Sequence, residues 1–171
     1  MNLYFMRHAH AGQREEWAGP DSERPLTDKG RRAAEAAASG LARRSPPISR
    51  VITSPLTRAA DTAAIVATRL SAPVTLSDAL APGFNLAGLT ALLTEAGWAS
   101  DLLLVGHQPS MGEVLAALLG QGDAMVDMKK ASVALVALPD VSNREPGSAH
   151  LEGSARLRWL RTWRELEQRG G

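Results

Sequence analysis

The stretch SDLLLVG, residues 100–106, most constrains what this chain can become. A short, unbroken apolar run is buried on both faces, so it belongs in the middle of a sheet covered on each side. Other short runs recur along the chain: NLYFM (2–6), RVITS (50–54), APVTLS (72–77) and ASVALVALPD (131–140). Helical stretches separate them. DKGRRAAEAAASGLARR (28–44) is alanine-rich, with Thr27 or Asp28 as a cap and basic residues at its end. In LTRAADTAAIVATRL (56–70), Leu56, Ala60, Ala63 or Ala64 and Ala67 share one face, and Pro55 stands where a first helical turn accepts proline. Leu86–Ala96 and MGEVLAALLG (111–120) supply two more helices. Strands alternating with helices predict an α/β fold: a three-layer sandwich with a mainly parallel sheet flanked by helices.

The tail reads two ways. Leu157, Leu160 and Trp163 fall at helical spacing, but Ala155, Leu157 and Trp159 alternate with Arg156 and Arg158. The spacing predicts a half-buried edge strand to about Leu160 and then a short helix, after a connecting loop over 139–153. There is no repeat and no interdomain linker, so residues 1–171 are expected to form a single domain. Net charge is +1, which gives no global field for nucleic acid or an anionic membrane. Cysteine is absent, which removes disulfides, thiolate nucleophiles and Cys-ligated zinc. The N-terminus lacks signal-peptide features, and no apolar run approaches the ~20 residues of a membrane span. The expectation is a cytoplasmic protein.

In a parallel sheet, ligands bind beyond the carboxyl ends of the strands. The first strand ends in Arg7-His8. The second leads through SPLTR to Arg58 in the first turn of a helix. The fourth ends in Gly106-His107. Two arginines and two histidines are therefore predicted on one rim. Guanidinium forks match phosphate oxygens, and a neutral imidazole can attack phosphorus. Phosphoryl transfer rests on positioning and on charge stabilisation, and enough cations make a metal unnecessary. His8-x-His10 could instead be a metal pair. Only four histidines exist, however, and no further ligand cluster accompanies these two. His10 is expected at the pocket mouth or exposed.

LYFMRHAHAG, ERPLTDKGRRAA, ITSPLTRAADTA and LLLVGHQPS, in this order, resemble the histidine phosphatase superfamily, and most closely its small SixA-type phosphohistidine phosphatase branch. The resemblance spans residues 2 to about 138. It implies a phosphoglycerate mutase-like fold and a metal-independent phosphatase that needs no cofactor. His8 would be the phosphorylated nucleophile. Arg7 and Arg58 would bind phosphate, and His107 would complete the pocket. Ala9 stands where the wider superfamily has glycine, which is familiar in the SixA-like branch. The chain is too short for the inserted helical domain of larger members, which also supply an acid for the leaving group. Asp21 and Asp78 are the candidate proton donors.

The implied substrate is phosphohistidine on a phosphorylated protein; the alternative is a small phosphomonoester. A module that binds phosphate without turnover is the second class, and the intact set of four residues weighs against it. A nucleic-acid binder is disfavoured by near-neutral charge and by the lack of an aromatic platform. Arg24 and Lys29 are expected to be solvated, Thr27 to be a cap, and Ser54 to contact phosphate or shape its turn. Trp17 either covers the substrate or is exposed. Trp98, Trp159 and Trp163 are expected to pack in the core, and His150 is given no role.

Overall fold

A computed structural model describes residues 1–44, 46–98, 101–120, 124–139 and 151–168. His150 and most of the 139–153 loop lie outside these. Six strands form one sheet: β1 (Asn2–Arg7), β2 (Ile48–Thr53), β3 (Val74–Leu76), β4 (Asp101–Gly106), β5 (Val133–Ala137) and β6 (Arg156–Arg161). Their order across the sheet is β3-β2-β4-β1-β5-β6. The run LLLV lies in a central strand, as its two-sided apolar character requires. The first four strands are parallel, while β5 runs antiparallel to β1 and to β6.

The pleat sorts alternate residues into two cores. Tyr4 and Met6 of β1 and Leu103 and Val105 of β4 face α1 (Asp28–Ala42), α2 (Thr57–Leu70) and α5 (Trp163–Glu167). Leu3, Phe5, Leu102 and Leu104 face α3 (Leu86–Ala96) and α4 (Ser110–Leu118). Each such side chain contributes roughly 1.5–3 kcal/mol by leaving water. The first core is built largely of alanine: Ala33, Ala34, Ala37 and Ala38 of α1 meet Ala59, Ala63 and Ala67 of α2. Small residues let these helices lie close to each other and to the chain leaving β1. At Gly30 any Cβ would overlap the His10 carbonyl oxygen. Only glycine permits that approach.

At the sheet's far edge the tail adopts the strand-then-helix arrangement. The simple alternation fails in one place. A register shift at Leu135/Val136 pairs Leu135 with Trp159 but Val136 with Leu157. Trp159 therefore packs edge-on to Tyr4, at 6.2 Å between centroids, while Leu157 is 43% exposed on the other face. Thr162 starts α5 with a capping box, its side chain accepting from the Glu165 amide while Glu165 accepts from the Thr162 amide.

The topology also fixes where a site can form. From β1 the chain leaves toward the α1 side; from the neighbouring β4 it leaves toward the α4 side. A crevice must open between their carboxyl ends, at a topological switch point. No helix among the described residues is long and apolar enough to cross a membrane.

Candidate active site

Strand register brings the predicted residues together. Arg7 of β1 pairs with Gly106 of β4, and Thr53 of β2 with Val105. The next residue in each strand is His8, His107 or Ser54. The ladder continues one step further, with the His8 amide donating to the Gly106 carbonyl (3.0 Å) and the Ser54 amide to the Val105 carbonyl (3.1 Å). His8 and His107 thus sit side by side, their ring centroids 5.0 Å apart, at 8% and 3% exposure.

Three further contacts fix the chain just beyond His8. The Ala9 amide donates to Thr62 Oγ1 of α2 (3.0 Å), and Ala9 is fully buried. Both the Thr27 amide and its hydroxyl donate to the His10 carbonyl, while Thr27 Oγ1 caps α1 by accepting from the Gly30 amide. His8 Nδ1 lies 2.7 Å from the Ala9 carbonyl. A carbonyl only accepts, so Nδ1 carries the proton and the lone pair is on Nε2. Burial drives the His8 pKa down to about 3; the bond to Ala9 opposes this, while His107, Arg58 and Arg7 add to it. The imidazole is therefore neutral at physiological pH, as a nucleophile must be.

His107 is shaped differently. Its Nε2 is 2.9 Å from Ser54 Oγ, which itself accepts from the Leu56 amide. In the tautomer in which the Ser54 hydroxyl donates to Nε2, Nδ1 carries the ring proton. Nδ1 is buried and has no partner among the described residues. Burial lowers the His107 pKa to about 4, with Arg58 adding to the shift, Asp21 opposing it, and Arg7 and Arg24 adding smaller pushes.

Both histidines bind fewer protons when folded than when unfolded, where the ordinary value is 6.5. Their contribution to stability is complete above about pH 6.5 and is lost as pH falls toward 4 and 3. Between pH 7 and 5 the ligand-free protein should lose on the order of 1–2 kcal/mol per histidine. Urea denaturation at the two pH values measures this. The double variant His8→Gln, His107→Gln should lose far less, and an unchanged pH dependence in that variant would refute the assignment.

The arginines complete the rim. Arg7 donates from Nη1 to the Met128 carbonyl (2.7 Å). Arg58, in the first turn of α2 and 5% exposed, donates from Nη1 to the Asp21 carbonyl (2.7 Å) and pairs through Nη2 with Asp21 Oδ2 (3.1 Å). The Nε atoms of both are buried without a partner among the described residues. Burial pushes both guanidinium pKa values down from their ordinary position. These are cations held in dry surroundings with donors to spare, an arrangement an anion would relieve.

The cleft around them holds about 330 Å3. Arg7, Arg14, Arg24, Arg58 and Lys130 line it, against one carboxylate, Glu15. Arg24 is not merely solvated: it donates to Asp21 Oδ1 (2.9 Å) and to the Ala11 and Gly12 carbonyls, bracing the loop over the site. Asp21 is gripped by Arg24 and Arg58, with Arg14 at 3.7 Å. Burial alone would raise its pKa, but the hydrogen bond from Arg24 and the charges of Arg58, Arg24 and Arg14 hold it below the ordinary value. An ionised, committed carboxylate positions arginines better than it donates protons. Asp78 is exposed in a short turn, and it is Pro82, further along that segment, that lines the cleft. Glu15, Lys130 and Gln108 also line it and carried no signal in the sequence beyond lying near a motif. Trp17 donates to the Pro20 carbonyl within its own loop.

His10 points to a different set. Its Nδ1 accepts from the Gly12 amide (3.2 Å) and lies 3.0 Å from Thr27 Oγ1. The two rings of His8-x-His10 are therefore engaged separately. Among the described residues no group of three or more His, Asp or Glu side chains is placed to hold a metal ion.

Comparison with known proteins bears on the family and the fold. Residues 3–82 match the family model of the histidine phosphatase superfamily, branch 1. An uncharacterized protein of a Picosynechococcus species is 38% identical over 137 residues, covering 78% of this chain and 82% of that one. The structure of the protein histidine phosphatase SixA complexed with tungstate superposes with a TM-score of 0.80 at 25% identity, covering 97% of this chain and 99% of SixA. The chain belongs to the histidine phosphatase superfamily. It is a phosphatase enzyme with the SixA-like fold. A mycobacterial glucosyl-3-phosphoglycerate phosphatase complexed with VO3 shares that fold, with a TM-score of 0.68 at 21% identity over 95% of this chain and 98% of the other. The same fold thus serves a protein histidine phosphatase and a glucosyl-3-phosphoglycerate phosphatase.

Proposed function

We propose that this histidine phosphatase works through a phosphohistidine intermediate on His8 and that its substrate is phosphohistidine on a protein. The observation that carries the reading is the His8 ring itself. It is buried and neutral, its Nδ1 proton is tied to the Ala9 carbonyl, and its Nε2 lone pair is left for phosphorus. Arg7 and Arg58 bind the phosphoryl oxygens through their unpartnered Nε atoms, and His107 donates from Nδ1. In the first step the Nε2–P bond forms, the bond from phosphorus to the substrate breaks, and the leaving group takes a proton. In the second, water attacks the phosphohistidine, the Nε2–P bond breaks, and phosphate leaves with His8 restored.

Two observations favour a phosphohistidine substrate. SixA, a protein histidine phosphatase, matches over nearly the full length of both chains. Asp21 is locked ionised by arginines rather than free to protonate an alkoxide. Imidazole asks less of such an acid than an alkoxide does. One observation favours the small phosphomonoester: Glu15 lines the cleft and, unlike Asp21, is committed to no arginine among the described residues.

The test is turnover of a phosphohistidine protein against a panel of sugar and nucleotide phosphates, with metals chelated. A preference for the protein supports the main reading, and a preference for esters replaces it. Glu15→Gln should leave phosphohistidine hydrolysis within about twofold, and should slow any alkyl ester by about 10²-fold if Glu15 is its general acid.

A further inference from the structure

A second cleft, of about 320 Å3, adjoins the catalytic one; Arg7 and Lys130 line both. Arg7 and His10, at and just beyond the end of β1, form one wall, and three segments remote in sequence complete it. Lys29 comes from the start of α1, Asp127, Lys129 and Lys130 from the segment before β5, and Trp163 and Arg164 from α5. Arg7, Lys29, Lys129, Lys130 and Arg164 stand against the single carboxylate of Asp127. Among the described residues Lys29, Lys129, Lys130 and Arg164 form no ion pair, and the Arg164 guanidinium lies 4.6 Å from the Trp163 ring centroid.

This gathering is costly for a chain whose acidic and basic residues nearly balance. Burial first, and then the charges of Arg7, Arg24 and Lys29, pull the Lys130 pKa below its ordinary value. The segment is also held in place. Arg7 Nη1 donates to the Met128 carbonyl, Met128 is fully buried, and the Ala131 amide donates to the Arg7 carbonyl. At the other wall, Arg43 and Arg44 donate to the Leu166 carbonyl at the end of α5. Exposed cations carried on tethered backbone segments around one cavity offer a site for an anion.

We propose that this cleft is a second anion subsite. While the phosphoryl group sits at His8, another anionic group of the same substrate sits among Lys29, Lys129 and Arg164, on the other side of Arg7. The substrate class is then a phosphoryl compound with a second anion nearby, either a carboxylate side chain of a phosphorylated protein or a second phosphate of a small molecule. The location rests on the phosphatase reading of the first cleft; the subsite itself can be measured without turnover.

The experiment is calorimetric titration of the full chain with three non-hydrolysable probes. Methylphosphonate carries one anion. A series of linear alkane bisphosphonates carries two at increasing separation. A glutamate-rich peptide with one phosphonomethyl-alanine residue mimics an acidic protein. At least one two-anion probe should bind on the order of tenfold more tightly than methylphosphonate. The triple variant Lys29→Ala, Lys129→Ala, Arg164→Ala should lose that margin and keep its methylphosphonate affinity. A margin only for bisphosphonates identifies a second phosphate, and one only for the peptide identifies carboxylates. No margin with any probe, or a margin that survives in the triple variant, overturns the proposal. Failure of the catalytic reading is separate and shows as absent phosphatase turnover or absent methylphosphonate binding.

Discussion

His8→Ala should lower phosphatase turnover by about 10⁴-fold or more and leave no labelled phosphoenzyme after a rapid acid quench. The expectation follows from the proposed mechanism, in which the free lone pair of His8 attacks phosphorus. Nδ1 is protonated and held by the Ala9 carbonyl, so only Nε2 can attack. In the tautomer in which Ser54 donates to His107 Nε2, both nitrogens of that ring are engaged as acceptor and donor, and His107 does not replace His8. The variant should still fold. The His8 amide bond to Gly106 and the Ala9 amide bond to Thr62 involve no atom of the imidazole. It should also still bind phosphate through Arg7 and Arg58. Stability at pH 5 relative to pH 7 should improve, since a neutral buried group that charges on unfolding is gone. Label recovered on His107 or His10, or turnover near the wild-type rate, would sink the mechanism.

How much of this could be read in the sequence depended on how local each cause was. The middle of the sheet was legible because LLLV is apolar without alternation and too short for a helix, which fits a strand buried on both faces. The start of α1 was legible because Thr27 caps the Gly30 amide within a few residues. Direction was not: a strand buried on both faces reads alike either way, so nothing in SVALVA announces that β5 runs against β1. The rim set was legible because Arg7, His8, Arg58 and His107 each follow or closely trail a strand end. The work of Asp21 and Arg24 was not, because it lies in pairings across a long loop. Asp21 looked like a spare acid and Arg24 like a solvated one, yet together they hold Arg58 and the Ala11–Gly12 backbone. The second cleft was least legible, since residues 29, 127–130 and 163–164 meet only in three dimensions.

Arg58→Ala should lower kcat/KM by about 10²–10³-fold for every phosphorylated substrate. Arg58 is nearly fully buried, and two of its nitrogens are occupied by Asp21. The remaining Nε is therefore aimed by a fixed frame, and a planar fork with three nitrogens can hold the frame and the phosphate together. The three donors of lysine radiate from one nitrogen and do not reproduce the spread of the fork, so Arg58→Lys should recover little. Asp21→Asn separates the two roles the carboxylate could play. As a positioning residue it acts through Arg58, so its loss should slow phosphohistidine, aryl and alkyl substrates alike, and the Arg58→Ala, Asp21→Asn double variant should be little worse than Arg58→Ala alone. As a proton donor it would spare phosphohistidine and aryl esters, slow alkyl esters selectively, and add its full effect to Arg58→Ala. The ionised state of Asp21 among Arg14, Arg24 and Arg58 favours the first outcome. Additive losses confined to alkyl esters would return Asp21 to the role of acid and leave Arg58 to be aimed by the Asp21 backbone carbonyl alone.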